Sequence, residues 1–368
     1  MVSFPWLQSF LIGTSLLTLS SCYPLAAQKS PLAVPVVLEF IKPTLINPAQ
    51  AMPEPLLFDT ANDFTEGTAA VQQGEALGYI DAEGAWVTTV ADANVEVAGA
   101  FSEQLAVARA GDYHGYLDQS GDWAVPVQFK QAKAFAEGLA AVQGGAKYGF
   151  INSRGQWVIE PGFDLAESFS EGVAVVKQAG LYGYVNPEGG YAIPIQFKDA
   201  WSFSESRAVV KVDDKYGYLA PDGSIAIPLT FDGAFSFAEG LARVRQGAKW
   251  GFIDPAGNWA IAPDFDYASD FSEGMAVVLH AGKWSYINPQ GAIVITGEFS
   301  YAADFSEGLA AVQIDGSYGY INATGEVTIA PTFQNAGRFS ESRARVQIDG
   351  RWSFVRPDGQ LLQHPDGG

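Results

Sequence analysis

The sequence has little of the chemistry that supports disulfides, metal sites or nucleic-acid binding. Its single cysteine, Cys22, excludes a disulfide within the chain. Its three histidines, His114, His280 and His364, share no position in the repeat described below and form no Cys/His pattern with metal-ligand spacing, so we expect no metal site. The 21 basic residues are scattered singly and outnumbered by 41 acidic ones, which argues against nucleic acid as a partner.

Sequence patterns of catalysis are missing as well. The chain contains no nucleophile elbow, phosphate-binding loop or dinucleotide fingerprint. Carboxylate pairs are common, but among 41 acidic residues they do not single out glycosidase chemistry. We therefore expect no enzymatic activity and no cofactor.

The N-terminus has the pattern of an export signal. Residues 1–21 carry no charged side chain and include an apolar run from Leu7 to Leu19, which is shorter than the about 20 residues of a membrane-spanning helix. The LSSC sequence that ends at Cys22 resembles the bacterial lipobox, although the usual Lys or Arg near the start is missing. This resemblance implies lipidation of Cys22 and a membrane-anchored lipoprotein of the cell envelope. Cleavage near Ala27, giving a secreted or periplasmic protein, and an uncleaved anchor are the alternatives.

Residues 22–57 predict an extended tether between this signal and the rest of the chain. Seven prolines in the segment exclude a continuous helix or a central strand. Within it, the apolar stretch from Ala33 to Ile41 could instead cap the first repeat.

Residues 58–368 form nine copies of one unit. The first step between copies is 37 residues and each later step is 34, as shown by the recurring Phe64, Phe101, Phe135, Phe169, Phe203, Phe237, Phe271, Phe305 and Phe339. A fixed period of this size is the signature of a repeat architecture.

One copy predicts three short strands. LAAVQ (139–143), YGFIN (148–152) and QWVIE (156–160) are apolar runs separated by turns that contain glycine, which is the pattern of a β-meander. Apolar residues on both faces indicate sheets covered on both sides by neighbouring copies. The connector PGFDLAESFSEG (161–172) is predicted to be a loop with one helical turn.

Two recurring residues are candidates for structural roles. A glycine inside the second strand indicates close approach of another backbone or ring; it recurs at Gly149, Gly183, Gly217, Gly251 and Gly319. A glutamate in the connector is interpreted as a turn-fixing carboxylate, and it includes Glu137, Glu171, Glu239, Glu273 and Glu307. Stacked glutamates repel one another unless each has a partner, such as turn N–H groups or the nearby Lys147, Lys215, Lys249 or Lys283.

These copies resemble the bacterial WG repeat. The sequence KWGFID from Lys249 to Asp254, followed by Gly257, Pro263 and FSEG (271–274), is similar to that family's pattern. The resemblance spans all nine copies, although most have Tyr in place of Trp, and Ser285 and Ser353 replace the glycine. It implies an envelope or surface β-repeat architecture more than any activity.

The predicted fold is therefore an all-β tandem array of nine three-stranded repeats. An open solenoid is favoured over a closed β-propeller, because the copies are whole and no strand is left over to pair the two ends. In such an array, removing one unit, such as residues 203–236, should leave the rest folded.

The predicted function is a non-catalytic, envelope-anchored scaffold that binds an unknown protein or polymer. The alternative is a carbohydrate-binding or cell-wall-binding module in which Trp86, Trp123 or Trp201 stacks on sugars, although these tryptophans occupy different repeat positions. A glycosidase is a third hypothesis and would need one pocket that breaks the repeat symmetry.

Overall fold

The computed structural model describes residues 54–364, which form 34 β-strands and no helix. The signal-type segment, the lipidation candidate Cys22 and the tether as far as residue 53 lie outside the described residues. The all-β tandem array is confirmed, because the strands form nine small antiparallel sheets, one for each copy. We call these sheets blades 1 to 9 in chain order.

The strands of blades 1 to 5 have the following bounds. They are β1 (Thr60–Ala61), β2 (Ala69–Gln73), β3 (Ala76–Ile80) and β4 (Trp86–Thr89) in blade 1; β5 (Val95–Ser102), β6 (Leu105–Ala110), β7 (Tyr113–Leu117) and β8 (Trp123–Phe129) in blade 2; β9 (Ala140–Gly144), β10 (Lys147–Ile151) and β11 (Trp157–Phe163) in blade 3; β12 (Leu165–Ser170), β13 (Val173–Gln178), β14 (Leu181–Val185) and β15 (Tyr191–Phe197) in blade 4; and β16 (Asp199–Ala200), β17 (Ala208–Val212), β18 (Lys215–Leu219) and β19 (Ile225–Phe231) in blade 5.

Blades 6 to 9 repeat the same order. Their strands are β20 (Gly233–Ala234), β21 (Ala242–Gln246), β22 (Lys249–Ile253) and β23 (Trp259–Phe265) in blade 6; β24 (Tyr267–Ala268), β25 (Ala276–His280), β26 (Lys283–Ile287) and β27 (Ile293–Thr296) in blade 7; β28 (Tyr301–Ala302), β29 (Leu309–Ile314), β30 (Ser317–Asn322) and β31 (Val327–Phe333) in blade 8; and β32 (Asn335–Ser340), β33 (Arg343–Ile348) and β34 (Arg351–Val355) in blade 9.

Most blades have four strands where the sequence analysis predicted three. The additional strand comes from the connector and pairs with the first strand of the meander, as β12 pairs with β13. Phe163, Ala166 and Phe169 are all buried, and their spacing of three is also that of a helix face. A bulge between Ala166 and Phe169 brings both side chains to the same side of the strand. The connector is therefore a bulged strand rather than a loop with a helical turn.

Apolar clusters lie between blades and cover both faces of every sheet. The cluster between blades 3 and 4, for example, joins Phe150 and Ile159 to Phe169 and Val176. Nine such clusters occur, one for each pair of adjacent blades and one between blade 9 and blade 1. An open stack of nine sheets would have only eight interfaces, so the ring is closed.

The two ends of the described chain meet in blade 9. Phe58 pairs with Trp352 through two backbone hydrogen bonds of 2.8 Å, and the Leu56 N–H donates to the Leu362 carbonyl at 2.8 Å. Leu361 pairs in turn with Val355. Residues 55–57, which the sequence analysis placed in the tether, thus help to complete the last blade.

The fold is a closed nine-bladed β-propeller, which the sequence analysis held as its alternative. The preference for an open solenoid is corrected, because it assumed that no segment was left to join the ends. The N-terminal segment before Phe58 and the C-terminal segment after Gly359 together supply that missing edge.

The strand glycines lie against the backbone of the outermost strand. In blade 4, Tyr182 pairs with Phe197 and Tyr184 with Ile193, so the outer strand bulges opposite Gly183. A Cβ on Gly183 would lie 2.8 Å from the Ile193 carbonyl oxygen. Equivalent close backbone contacts exist at Gly149, Gly217, Gly251 and Gly319.

Candidate functional site

The nine recurring glutamates form a hydrogen-bonded ring. Each is the first residue of the two-residue turn that ends the connector, and its carboxylate accepts a bond from a backbone N–H of the matching turn in the next blade. The distances are 2.7–3.2 Å. The bond from the Gly67 N–H to Glu341 joins blade 1 to blade 9 and completes the ring. The members are Glu66, Glu103, Glu137, Glu171, Glu205, Glu239, Glu273, Glu307 and Glu341.

The nearby lysines do not neutralise this ring. Lys147, Lys215 and Lys249 pair with aspartates of the connectors instead, as in the 2.6 Å contact between Lys215 Nζ and Asp232 Oδ1. The partner of each ring glutamate is therefore a backbone N–H of the neighbouring blade. The ring is a structural clasp between blades, and its carboxylates are already engaged by the protein itself.

Buried hydroxyl groups add a second set of bonds between blades. In six blades a tyrosine on the third strand donates its hydroxyl hydrogen to a backbone carbonyl of the next connector, at 2.7–2.9 Å. These residues are Tyr79, Tyr116, Tyr184, Tyr218, Tyr286 and Tyr320. Burial raises the pKa of each of these hydroxyls. Blades 3, 6 and 9 have Phe150, Phe252 and Phe354 instead, so this bond is not present in every interface.

The residue just before each connector phenylalanine breaks the ninefold pattern. In blades 2 to 6 this residue is small and uncharged, namely Ala100, Ala134, Ser168, Ser202 and Ser236. In blades 7, 8, 9 and 1 it is charged, namely Asp270, Asp304, Arg338 and Asp63. Charge at this position is thus confined to one arc of the ring.

The position one residue earlier differs between blades 3 to 6 and blades 7 to 9. It holds large side chains in blades 3 to 6, namely Lys133, Glu167, Trp201 and Phe235, and small residues in blades 7 to 9, namely Ser269, Ala303 and Gly337. In blades 7 to 9 these small residues lie next to the charged positions and leave open space there. That space is a pocket of ≈ 390 Å³, within the range of about 300–1,000 Å³ that is usual for ligand sites.

Asp270 lies at one side of the pocket and is held by an arginine of blade 6. Arg243 Nε is 2.7 Å from Asp270 Oδ1, and its Nη1 donates to the Ala268 carbonyl at 2.6 Å. Burial raises the pKa of Asp270, Arg243 acts in the opposite direction, and the charge of Asp304 adds to the rise. The pocket therefore contains two carboxylates that influence each other.

Asp304 and Arg338 line the same pocket and have no partner among the described residues. Within residues 54–364 neither side chain makes a hydrogen bond or an ion pair, whereas Asp270 and Asp63 each have an arginine partner. The pocket thus presents an unpaired acceptor group and an unpaired donor group.

A row of aromatic rings forms the apolar wall. The ring centroids of Tyr267 and Trp284 are 5.5 Å apart, those of Trp284 and Tyr301 are 6.0 Å apart, and Tyr318 continues the row at 6.0 Å from Tyr301. Tyr267, Trp284 and Tyr301 line the pocket.

Within residues 54–364, no basic group lies over the rings of this row, whereas basic groups cover equivalent rings in other blades. In blades 4, 5 and 6 a basic group lies over the matching ring at 4.7, 5.3 and 5.7 Å; these basic residues are Lys177, Lys211 and Arg245. In blades 7 and 8 the residues paired with Trp284 and Tyr318 are Leu279 and Gln313.

The tryptophans that the sequence analysis considered for sugar stacking are not brought together. Trp86, Trp123 and Trp201 lie in blades 1, 2 and 5. Trp123 donates its indole N–H to Asp92 at 3.0 Å, in the loop that accounts for the longer first repeat, and Trp201 packs on Tyr216.

The pocket itself was missed by sequence reasoning, which concentrated on what recurs. The informative residues were those that do not recur. They occupy the two connector positions where blades 7 to 9 depart from the repeat pattern. Within residues 54–364, no group of three or more His, Cys, Asp or Glu side chains is placed to hold a metal ion. No helix that could cross a membrane occurs in that part of the chain.

A family model described as "WG containing repeat" matches the sequence in eight segments. They are residues 55–75, 115–148, 148–182, 182–216, 216–250, 250–284, 284–318 and 318–352. Among curated proteins, no sequence matches.

Solved structures align with the chain at low identity. The crystal structure of a eukaryotic initiation factor aligns with a TM-score of 0.60 and 11% identity, over 81% of this chain and 95% of that one. The dihydro-heme d1 dehydrogenase NirN aligns at 0.41 with 12% identity, over 69% of this chain and 70% of that one. Kluyveromyces lactis Hsv2 aligns at 0.37 with 9% identity, over 67% and 89%. The first similarity extends to the fold alone, and the other two are too weak to support an argument.

Proposed function

The chain belongs to the WG-repeat family, and we propose that it is a non-catalytic scaffold that binds a protein or a polymer at the bacterial cell envelope. The observation that carries this proposal is the pocket on blades 7 to 9. It combines unpaired polar groups with an apolar wall, and it is mounted on a ring whose blades are clasped to one another.

A rigid frame favours binding because little freedom is lost when a ligand docks. Each blade is fixed to the next by an apolar cluster and by the glutamate bond. The surface built on the connectors is therefore preorganised.

Envelope anchoring through Cys22 is part of the proposal. Its support is the LSSC sequence after an uncharged apolar segment. A Cys22→Ala variant should leave the membrane fraction and lose labelling by a fatty-acid probe, while a Cys22→Ser variant should behave in the same way. Unchanged fractionation of both variants would count against a lipid anchor and favour a secreted or periplasmic protein.

The binding function is tested by affinity capture with the full-length tagged protein from detergent-solubilised envelopes. We expect a reproducible envelope component that is retained by the wild type and lost in the double variant Trp284→Ala and Asp304→Asn. The matched control is Tyr182→Ala, which removes the equivalent ring in blade 4, away from the pocket. Identical captured material from wild type and from tag alone would contradict a binding function.

A glycosidase is the second candidate, favoured by the raised pKa of Asp270 near a second carboxylate. The ion pair with Arg243 opposes it, because a neighbouring cation stabilises the charged form that a general acid must avoid. The measurement is release of reducing ends from oligosaccharides by wild type, Asp270→Asn and Asp304→Asn. We expect no turnover; activity that either variant abolishes would establish the enzyme.

A further inference from the structure

We infer that the pocket on blades 7 to 9 binds a neutral saccharide, with Trp284 as the stacking surface and Asp304 and Arg338 as hydrogen-bonding partners. This rests on the proposed function, because it names the ligand class of the same pocket. It differs from the carbohydrate hypothesis of the sequence analysis, which placed stacking at Trp86, Trp123 or Trp201.

The charges of the pocket disfavour ligands of a single sign, because each sign meets one like charge. An anion would meet Asp304 and the carboxylate of Asp270, while a cation would meet the unpaired guanidinium of Arg338. Like charges in a partly desolvated site repel strongly. The lining therefore favours a ligand without net charge.

The available polar atoms match hydroxyl groups, which both donate and accept. The serines of the pocket are already used by the protein: Ser272 and Ser306 donate to the carbonyls of Phe305 and Phe339 at 2.8 and 2.7 Å. Ser269 accepts from the Val277 N–H and donates to the Asp270 carbonyl. A ligand hydroxyl can donate to Asp304 or to the second oxygen of Asp270, and it can accept from Arg338.

The aromatic wall matches the apolar face of a sugar ring. A pyranose presents a flat face of C–H groups with hydroxyls around its rim, so one face can stack on an aromatic ring while the rim reaches polar groups. Trp284 lies between Tyr267 and Tyr301 in the pocket wall, with no cation over its face. Because the row continues to Tyr318 beyond the pocket, we expect an oligosaccharide to bind more tightly than its monosaccharide.

The inference is tested by calorimetric titration of the full-length protein with neutral trisaccharides of glucose, galactose, mannose and N-acetylglucosamine. We expect at least one to bind with a dissociation constant of about 1 mM or tighter. Trp284→Ala and Asp304→Asn should each weaken this binding about tenfold or more, and Arg338→Gln should act in the same direction. The control Tyr182→Ala in blade 4 should change it less than about twofold.

Three outcomes would overturn the inference. They are no binding by any of the trisaccharides, binding that survives both Trp284→Ala and Asp304→Asn, and binding of the zwitterionic peptide Gly-Gly-Gly without binding of any sugar. If no sugar binds but the envelope component is still captured by the wild type and lost in the double variant, the scaffold function stands and only the saccharide assignment fails.

Discussion

At the scale of single residues, the ring glutamates adopt a backbone conformation that glutamate usually avoids. All nine have φ between 51° and 54°, in the left-handed region where a side chain costs about 1 kcal/mol. Two-residue hairpin turns of this kind favour Asn, Asp or Gly at that position. The bond from each carboxylate to the next blade offsets much of this strain, because a hydrogen bond contributes about 0.5–1.5 kcal/mol net and these carboxylates are exposed to water.

Glu239 gives the clearest test of the clasp, since its carboxylate accepts from the N–H groups of both Glu273 and Gly274, at 2.7 and 2.8 Å. Glu239→Ala should lower the free energy of unfolding by about 1 kcal/mol, because it removes the bonds and keeps the strain. Glu239→Gly should cost less, because glycine relieves the strain. Urea unfolding of the three proteins measures both effects; an alanine variant as stable as the wild type would show that the clasp contributes nothing.

The strand glycines lead to a second prediction. Gly183→Val should lower the free energy of unfolding by about 1–3 kcal/mol, because its side chain would displace the outer strand near Ile193. Gly162→Val is the matched control, since the nearest atom to a Cβ there is 3.8 Å away. Equal melting temperatures for the two variants would contradict the overpacking account.

Three lysine–aspartate pairs predict a dependence of stability on pH. The bond from the paired lysine lowers the pKa of Asp164, Asp232 and Asp266 below its ordinary value. A lowered folded-state pKa contributes stability that is present above about pH 4 and lost as the pH falls through the folded pKa. The melting temperature should therefore decrease as the pH falls below about 4, and less so in the triple Asp→Asn variant. Parallel curves would exclude these pairs as the cause.

At the scale of elements, the recurring meander strands were predictable from the sequence. The bulged connector strand and the pocket were not. The three meander strands and their turns follow from apolar runs and Pro/Gly turn residues, and Asn186 accepts the Gly190 N–H as a turn former should. The connector strand was missed because a bulge gives it the three-residue spacing of a helix. The pocket was missed because it depends on the small side chains of Ser269 and Ala303, which line it and which no periodicity reveals.

The closing segments are elements whose removal should open the ring. Leu362 is buried in the cluster between blades 9 and 1, next to Leu56 and Phe354. Deleting residues 360–368 exposes that cluster and removes the backbone bonds of Leu362. We expect a lower melting temperature and a larger radius of gyration by solution scattering. Deleting only residues 365–368 is the control, and matching scattering curves for both truncations would contradict closure through this segment.

At the scale of the whole molecule, closure changes how stability is distributed. In an open array each internal unit contacts two neighbours and the end units contact one, so the array tolerates loss of a unit. In the ring every blade has two neighbours, and blade 9 needs residues from both ends of the described chain. The sequence could not reveal this because Pro55, Leu56 and Leu57 resemble the proline-rich tether before them.

Excision of one blade separates the two architectures. After removal of residues 203–236, the remaining eight blades could close again into a smaller ring. The angle between neighbouring blades would then be about 45° instead of about 40°. Otherwise the array would stay open, with two apolar faces exposed. Either result strains or exposes the clusters that now fill nine interfaces. We expect the melting temperature to fall by more than about 10 °C, or the protein to aggregate, because each kcal/mol lost lowers the transition by a few degrees in a chain of this size. The control deletes residues 28–50 of the predicted tether, which precede the described residues; we expect this deletion to leave the transition unchanged. An excised protein that melts within about 2 °C of the wild type would mean that the blades behave as independent units of an open array.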